Sequence, residues 1–452
     1  MRSKTITSFY HDKLFNRVIN LALPAAFKQL LDILQILVDM LMLGSISIAA
    51  LAAVGMSMQF MMIINVIMTI YIVGGNAIVS RYIGSQQHYR AASLLFSLIL
   101  FTVLIAIVVS IVGYSGAYSF YNWMGTSTEV TQLGGSYFSI LSMGMILIFL
   151  DTLFFNIFSA AGDTKKSLYI KIISIMINIF FNYIFIFGEG IGGYFIVEAM
   201  GIEGAAYATL IAYGVNLLAY SYLFISGKSP ISVIAIFKLK DIIRVIKVGV
   251  PAALERMMSV IGFVIFVMII THYGTESLAG YQVGLRIEGL AFMPGFGFSV
   301  AAMALVGQSL GAKKYHDAYK SGVYSAALAV GFMGSIGFVL FFFPEYLISF
   351  FTKDERTTIE ATLYLKLVAL AQIPLALAFV MSGVLRGAGA TKITLKVNVF
   401  SLWLFRVLPS LLVLYLELGI IWIYVIMNIE TWIKGLIFLY IFRKKEWQKT
   451  QV

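Results

Sequence analysis

Twelve long apolar segments, separated by short polar connections, dominate the pattern of hydrophobic and polar residues along the chain. Most of these segments are long enough to cross a hydrocarbon core of roughly 30 Å as a tilted helix. They cover approximately residues 16–44, 51–82, 91–117, 131–161, 166–188, 200–226, 242–272, 278–310, 317–345, 357–386, 391–417 and 419–442. This pattern predicts an all-α polytopic membrane protein with twelve transmembrane helices.

The pattern repeats itself once. Pro24 in LALPAA matches Pro251 in VGVPAA, and these positions are 251 − 24 = 227 residues apart. Gly84 and Gly311 have the same separation, and so do Leu51-Ala52 with Leu278-Ala279 and Ala161-Gly162 with Ala388-Gly389. One such match means little, but several in a single register indicate two pseudo-symmetric six-helix bundles in tandem.

The repeat divides the chain into two lobes. We predict an N-terminal lobe over residues 1–226, a basic cytoplasmic linker over 227–241 and a C-terminal lobe over 242–452. Because each lobe holds an even number of spans, the two lobes share one orientation in the membrane. Parallel repeats of this kind place the substrate site near the midplane, between the lobes.

Composition and charge agree with a membrane protein and set its orientation. The 452 residues are 60% hydrophobic and only 12% charged, with a mean hydropathy of +0.93. The net charge of +11 is concentrated in alternate connections, which the positive-inside rule places in the cytoplasm. These connections include Lys165 and Lys166, Lys313 and Lys314, and Arg443 to Lys445. We therefore expect the inner membrane, both termini in the cytoplasm, and no nucleic-acid partner.

Chemical motifs are few. The chain has no cysteine, which excludes disulfides and thiol chemistry. It contains no phosphate-binding loop of the Walker type, no GxSxG elbow and no HExxH motif. We predict that the protein is not an enzyme and carries no cofactor.

The first segment contains four polar residues on one face. Lys28, Asp32, Gln35 and Asp39 have the spacing i, i+4, i+7 and i+11, which aligns them along one side of a helix. A charge facing lipid at mid-membrane costs about 2.5–3.5 kcal/mol or more, so this side should face protein or water. Lys28 and Asp32 are equally consistent with a structural ion pair. Asp39 has no cation within one turn and is a candidate ion-coupling residue.

A second group of polar residues is mostly uncharged. Asn178 and Asn182 share a helix face, and Asn156 and Thr209 lie in the flanking segments. Together with Asp39 they would form an oxygen cage suited to a hard monovalent cation, so Asp39 is also a candidate Na⁺ ligand. Amides that bridge helices without any ligand are the alternative. Asp151 is intramembrane by position as well.

The second half has its own intramembrane acid. Glu255 lies four residues after Pro251, with Ser259 one turn further along the same face. The next segment offers Gln282 and Arg286, again four residues apart. Glu255 is either a titrating or substrate-facing group, or a structural partner of Arg286.

The chain resembles the multidrug and toxic compound extrusion (MATE) family over nearly its whole length. The resemblance is carried by LALPAAFKQLLDILQILVDMLMLG, AIVSRYIGSQQ, SAAGDTKKS, GVPAALE, GLRIEGLAFMPGFGFSVAAMALVGQSLGA, GVLRGAGATK and RVLP at residues 406–409. The resemblance implies twelve helices in two lobes around a central cavity, and export of organic cations in exchange for Na⁺ or H⁺. It also implies that Asp39 is the first-helix acid, with Asn156, Asn178 and Thr209 as its polar partners, and that Glu255 is the seventh-helix acid.

Two positions depart from the family pattern. Asn182 stands where some members have a fifth-helix aspartate, and Leu375 stands where many others have a tenth-helix aspartate. Each predicted ion site would then keep one carboxylate instead of two.

The sequence therefore predicts a monomeric antiporter that exports cationic amphipathic compounds and whose coupling ion is Na⁺ or H⁺. Its partners would be these small molecules and membrane lipid. A lipid-linked saccharide flippase of the same superfamily is one alternative; it would need a cation-lined cavity, whereas the segments here show mostly acidic and amide groups. A passive channel or receptor is another alternative, against which the tandem halves argue.

Overall fold

The computed structural model describes residues 13–188 and 198–450, and these residues are almost entirely helical. The α-helices in the described ranges are α1 (Lys13–Gly44), α2 (Ile48–Gly84), α3 (His88–Trp123), α4 (Thr128–Met143), α5 (Met145–Ala161), α6 (Lys165–Phe187), α7 (Gly201–Ile225), α8 (Leu239–Thr271), α9 (Thr275–Gly311), α10 (Tyr315–Phe342), α11 (Pro344–Ile348), α12 (Glu355–Gly387), α13 (Thr391–Leu402), α14 (Leu408–Tyr415) and α15 (Ile420–Lys444). The N-terminal twelve residues, whose cations contributed to the predicted orientation, lie outside the described residues.

The number of spans agrees with the sequence. In the described part of the chain, 11 helical segments are long and apolar enough to cross a membrane, and the pair α4 and α5, bent by 57°, makes up to 12. The bend falls at Gly144, between the two helices, and glycine is a poor helix former. The predicted all-α polytopic class with twelve spans is confirmed.

One end of the molecule is closed by backbone contacts between the lobes. A Cβ atom on Gly84 at the end of α2 would lie 1.9 Å from the carbonyl oxygen of Gln308, and one on Gly311 would lie 2.2 Å from that of Arg81. Only glycine permits so close an approach. The repeated pair Gly84 and Gly311 therefore marks the place where α2 and α9 meet.

The first helix of each lobe crosses into the other lobe at this closed end. Val18 of α1, with Leu21, Ala22 and Ala26 of the same helix, packs in a buried cluster whose other members lie in α9, α10, α12 and later residues. Val245 of α8, at the repeat-equivalent position, packs in the cluster of α2 to α7. The first helix of each lobe thus contributes side chains to the hydrophobic core of the other lobe. This mutual packing holds the two lobes together at the closed end.

Side chains reinforce the closed end in the same reciprocal way. The Arg81 guanidinium donates to the backbone oxygen of Ala388 in the C-lobe at 2.9 Å. Gln308, 227 residues later, donates to the backbone oxygen of Ala160 in the N-lobe at 2.6 Å. Arg17 in turn donates to Gln308 Oε1 at 2.5 Å.

The connection between the lobes is shorter than the predicted linker, because α8 already begins at Leu239. This connection is anchored to α3. Ser93 Oγ donates to the backbone oxygen of Ile236 at 3.0 Å, and Ser97 Oγ accepts from the Lys238 amide at 3.0 Å.

Between α13 and α14 the chain forms one π-helical turn, Trp403–Val407. The Leu408 amide bonds to the Trp403 carbonyl, five residues back. Pro409 follows and has no amide hydrogen to continue the α-helical ladder. The turn carries Arg406, whose guanidinium bonds to Glu430 at 2.6 Å; π-turns often occur at functional positions.

Candidate functional site

The polar face of α1 lies against α6. Asp32 is shared by two ammonium groups, with Lys28 Nζ at 2.7 Å and Lys171 Nζ at 2.7 Å. Lys171 also donates to Gln35 Oε1 at 2.6 Å, and Lys28 lies 4.4 Å from the centre of the Phe155 ring. Lys28 and Asp32 therefore form an ion pair, which was one of the alternatives that the sequence left open. Lys171 is a second cation on the same carboxylate. Buried charges of this kind are tolerated because they are paired.

Asp151 belongs to the same buried cluster. It accepts a hydrogen bond from Asn216 and interacts electrostatically with both Lys28 and Lys171. With Asp32 and Asp39 the face and its surroundings hold three carboxylates against two ammonium groups. The N-lobe interior is thus acidic by one charge when all these groups are ionised.

Asp39 stands apart from the ion pairs. Asn182 Nδ2 donates to Asp39 Oδ1 at 2.5 Å and also reaches Asn178 Oδ1 at 3.3 Å. Lys171 acts on Asp39 only electrostatically, since its ammonium is bonded to Asp32 and Gln35. Within the described ranges, Asn182 Oδ1 and Asn178 Nδ2 have no hydrogen-bond partner. A carboxylate and two amide oxygens are ligands that suit Na⁺, although in this structure Asn182 presents its nitrogen, and not its oxygen, to Asp39.

Two predicted partners of Asp39 are elsewhere. Asn156 Nδ2 donates to the backbone oxygen of Thr152 at 2.9 Å, within its own helix α5. The backbone oxygen of Asn156 accepts from Asn76. Thr209 lies half-buried on α7, and in the described structure no hydrogen bond joins it to Asp39. Sequence position placed both residues in the right lobe but could not give the direction of their side chains.

Lys171 is one functional-site residue to which the sequence pattern assigned no role. It precedes Asn178 by seven residues and Asn182 by eleven. Lys28 precedes Gln35 and Asp39 by the same seven and eleven residues. Two helices with matched polar spacing pack polar face to polar face, so this match was a usable signal.

In the C-lobe, Glu255 is fully engaged, but not with the predicted residue. Its carboxylate accepts from Arg386 at 2.5 Å, Thr394 at 2.7 Å and Asn398 at 2.8 Å. The alternative in which Glu255 pairs with Arg286 is wrong, because its cationic partner is Arg386. The acid on α8 faces α12 and α13, whereas Arg286 lies on α9.

Gln282 and Arg286 are both exposed in the structure. Neither contacts Glu255. The acid that α9 buries is Glu288, which accepts a hydrogen bond from Tyr364 at 2.5 Å. Ser259 Oγ donates to the backbone oxygen of Glu255 at 2.8 Å, within α8, so its shared helix face with Glu255 is as predicted.

A cavity of about 380 Å³ lies between α2 of the N-lobe and the helices of the C-lobe. Its charged lining residues are Glu255, Arg256, Arg386 and Lys434. Lys434 is bonded to Glu430 at 3.0 Å. The expectation that acidic and amide groups dominate the interior is therefore wrong for this cavity, where cations outnumber carboxylates. Arg256 and Arg386 had received no role in the sequence analysis.

Comparisons with known proteins agree with this architecture. The family model MatE matches residues 24–184 and 251–412. A probable multidrug resistance protein NorM from Thermotoga maritima is 26% identical over 445 residues, covering 96% of this chain and 93% of that protein. A probable NorM protein from Bacillus cereus is 25% identical over 372 residues, with 81% of each chain covered.

A solved structure of a multidrug resistance MATE family transporter in an outward-facing conformation superposes with a TM-score of 0.89 at 18% identity, covering 98% of both chains. At that identity the likeness concerns the fold. Because the family model covers most of the sequence in two stretches, one in each half, the assignment does not depend on any single site residue. The chain is a member of the MatE family of multidrug efflux transporters, which are not enzymes.

Proposed function

We propose that this protein is a secondary active antiporter that exports amphipathic compounds, cationic ones included, in exchange for Na⁺ or H⁺ bound at Asp39. The observation that carries the proposal is the environment of that carboxylate. Asp32 and Glu255 are each held by cationic side chains. Asp39 is bonded by the neutral amide of Asn182 instead, which leaves its charge available to an arriving cation.

The coupling follows from a change of charge at the contact between α1 and α6. A proton or Na⁺ on Asp39 removes the negative charge that Asn182 Nδ2 now satisfies. Na⁺ would also draw the amide oxygen of Asn182 toward Asp39, because Na⁺ prefers oxygen ligands. Binding can shift the balance between two lobe arrangements only through its different affinity for each.

The closed end supports a direction of transport. It carries the start of α1 and the ends of α2, α9 and α15, which lie beside the basic connections. With those connections in the cytoplasm, as the positive-inside rule proposes, the conformation described is closed to the cytoplasm. An exporter in this state receives its coupling ion and releases substrate on the opposite side.

The test is ion-driven uptake of a fluorescent organic cation into proteoliposomes, first under a Na⁺ gradient and then under a pH gradient. Asp39→Asn should reduce ion-driven uptake at least about tenfold, because a neutral amide cannot change charge on ion binding. Asp354→Asn is the matched control, since this exposed residue is the N-cap that precedes α12 and asparagine serves equally well as a helix cap. Unchanged coupled transport by the Asp39→Asn protein would overturn the assignment.

The cation-rich cavity favours one rival, a flippase for lipid-linked saccharides. Against it, about 380 Å³ is the size of a pocket for a drug-sized molecule. Reconstitution with a fluorescent pyrophosphate-linked lipid, with and without an ion gradient, separates the two functions, because a flippase would move that lipid between leaflets and an exporter of organic cations would not.

A further inference from the structure

Arg256 is a charged residue at mid-depth in a membrane-spanning helix. It follows Glu255 near the middle of α8 (Leu239–Thr271), lines the cavity, and is exposed. A guanidinium at this depth is costly against lipid and is tolerated where it faces a water-filled cavity. Its position therefore directs a permanent positive charge into the space between the lobes.

The neighbouring charges do not neutralise Arg256. The oxygens of Glu255 are occupied by Arg386, Thr394 and Asn398. The other acid of this region, Glu430, is divided among Lys434, Arg406 and Ser401. Within residues 13–188 and 198–450, Arg256 forms no ion pair or hydrogen bond. The cavity thus presents one guanidinium whose five donors are available to a ligand.

The remaining wall is suited to an apolar body. Phe296 and Phe379 stack with their ring centres 4.6 Å apart, and both line the cavity together with Ile72, Val73 and Ala378. Ser299 and Ser382 supply a few hydroxyls. An aromatic face beside a guanidinium favours a molecule that has a flat hydrophobic part and an anionic end.

We propose that this cavity binds amphipathic monoanions, with the carboxylate or sulfonate of the ligand paired with Arg256 and its aromatic part against Phe296 and Phe379. The proposal deepens the proposed export function and rests on it for its physiological meaning. It assigns the C-lobe cavity a substrate class opposite in charge to the organic cations suggested by the acidic N-lobe. Guanidinium and carboxylate form two parallel hydrogen bonds, which gives the site both affinity and orientation.

The test compares two ligands that differ in charge and little in shape. Calorimetric titration of the full-length protein in a neutral detergent measures binding of 1-naphthoate and of the uncharged 1-naphthamide. The native protein should bind the carboxylate at least about tenfold more tightly, the scale of a charge-assisted pair. Arg256→Gln should abolish this preference, and Arg256→Lys should retain part of it, because lysine keeps the charge but loses the paired geometry.

Lys392→Gln is the control, because Lys392 is an exposed cation of the same lobe outside this cavity. The Lys392→Gln protein should prefer naphthoate over naphthamide as strongly as the native protein does. Monodispersity on size-exclusion chromatography shows that each variant is folded, and Arg256→Lys provides a second reading should Arg256→Gln aggregate. A native protein without preference for naphthoate, or an Arg256→Gln protein that keeps the preference, would overturn the proposal.

The two proposals fail separately. Binding of naphthoate needs no ion gradient and does not involve Asp39. If naphthoate binding depends on Arg256 while the Asp39→Asn protein still couples transport, the anion site stands and the proposed coupling falls. If transport of the cation depends on Asp39 while the native protein shows no naphthoate preference, the coupling stands and the anion site falls.

Discussion

The two lobes place opposite charges at equivalent positions of their first helices. Lys28 of α1 and Glu255 of α8 are 227 residues apart. Lys171, which shares Asp32 with Lys28, and Asn398, which donates to Glu255, have the same separation. In the N-lobe two ammonium groups surround the carboxylate of Asp32. In the C-lobe a guanidinium and two neutral groups surround the carboxylate of Glu255. The same helix geometry thus supports two different electrostatic environments.

The two lobes also differ at the position of the proposed coupling residue. The position equivalent to Asp39 is Phe266, a fully buried aromatic residue of the C-lobe core. At this repeat position the C-lobe therefore has no carboxylate. Ion coupling, as proposed, belongs to one lobe, although both lobes share the fold.

The closed end shows the opposite behaviour. Val18 and Val245 each pack in the hydrophobic core of the opposite lobe. Arg81 and Gln308 each donate a hydrogen bond to an equivalent turn of the opposite lobe. Repeat symmetry is thus kept where backbones meet and is lost where charged side chains face the interior. Backbone contacts tolerate few alternatives, whereas a polar interior can be re-paired in many ways.

The largest effect on stability is expected for Asp32→Asn. The substitution leaves two cations, Lys28 and Lys171, without their shared carboxylate. Breaking a fully buried pair costs about 3–5 kcal/mol, and a loss toward the lower end is expected because Asp32 is 30% exposed. Thermal unfolding of the purified protein in detergent should show the largest fall in Tm of the substitutions considered. Combining Asp32→Asn with Lys28→Met should recover part of the loss, because one unpaired charge is removed. If Asp32→Asn lowers the Tm less than Glu255→Gln does, the N-lobe cluster is not the more costly of the two to break.

Glu255→Gln should have the next largest effect. Only one cation, Arg386, loses its partner, and its side chain is 25% exposed against 5% for Glu255. Since hydrogen bonds to charged groups contribute about 1.5–3 kcal/mol, a loss of that order is expected in denaturant unfolding. A double-mutant cycle with Arg386→Gln measures the coupling directly. A cycle with Arg286→Gln should give no coupling, and a large value there would contradict the observed pairing.

The smallest effect is expected for Gln308→Ala, which removes two hydrogen bonds at the closed end. Arg17 is exposed, so water can replace the bond that it donates and that bond contributes little. The change should therefore destabilise this closure by about 1 kcal/mol, which shifts the ratio of closed to open molecules roughly fivefold. The chain contains no cysteine, so spin labels on cysteines introduced at the exposed positions Gln87 and Lys314 report the distance between the lobes. Arg81→Gln tests the reciprocal contact. An unchanged distance distribution in both variants would show that backbone contacts alone hold this end closed.

The sequence by itself determined the membrane spans, their approximate number, the repeat and the polar face of α1, but not the breaks inside the spans at Gly144 and Trp403–Val407. Helix length, apolar character and the spacing of Lys28, Asp32, Gln35 and Asp39 are local properties, because the helical period fixes which residues share a face. The largest difference between a predicted and an observed helix end is six residues, at Trp123. That end is apolar and aromatic, so the pattern of polarity gives no sharp boundary.

Only the tertiary structure decided which charges meet. Asn182 and Asp39 are 143 residues apart in the chain, and Arg386 and Glu255 are 131 residues apart. The helical period relates only residues within one helix, so it cannot predict contacts between residues so far apart. The sequence offered Arg286 as a nearer partner for Glu255, and the packing of α8 against α12 and α13 selected Arg386 instead. The same packing occupies Glu255 completely, and this is what leaves Arg256 facing the cavity with its charge unmatched.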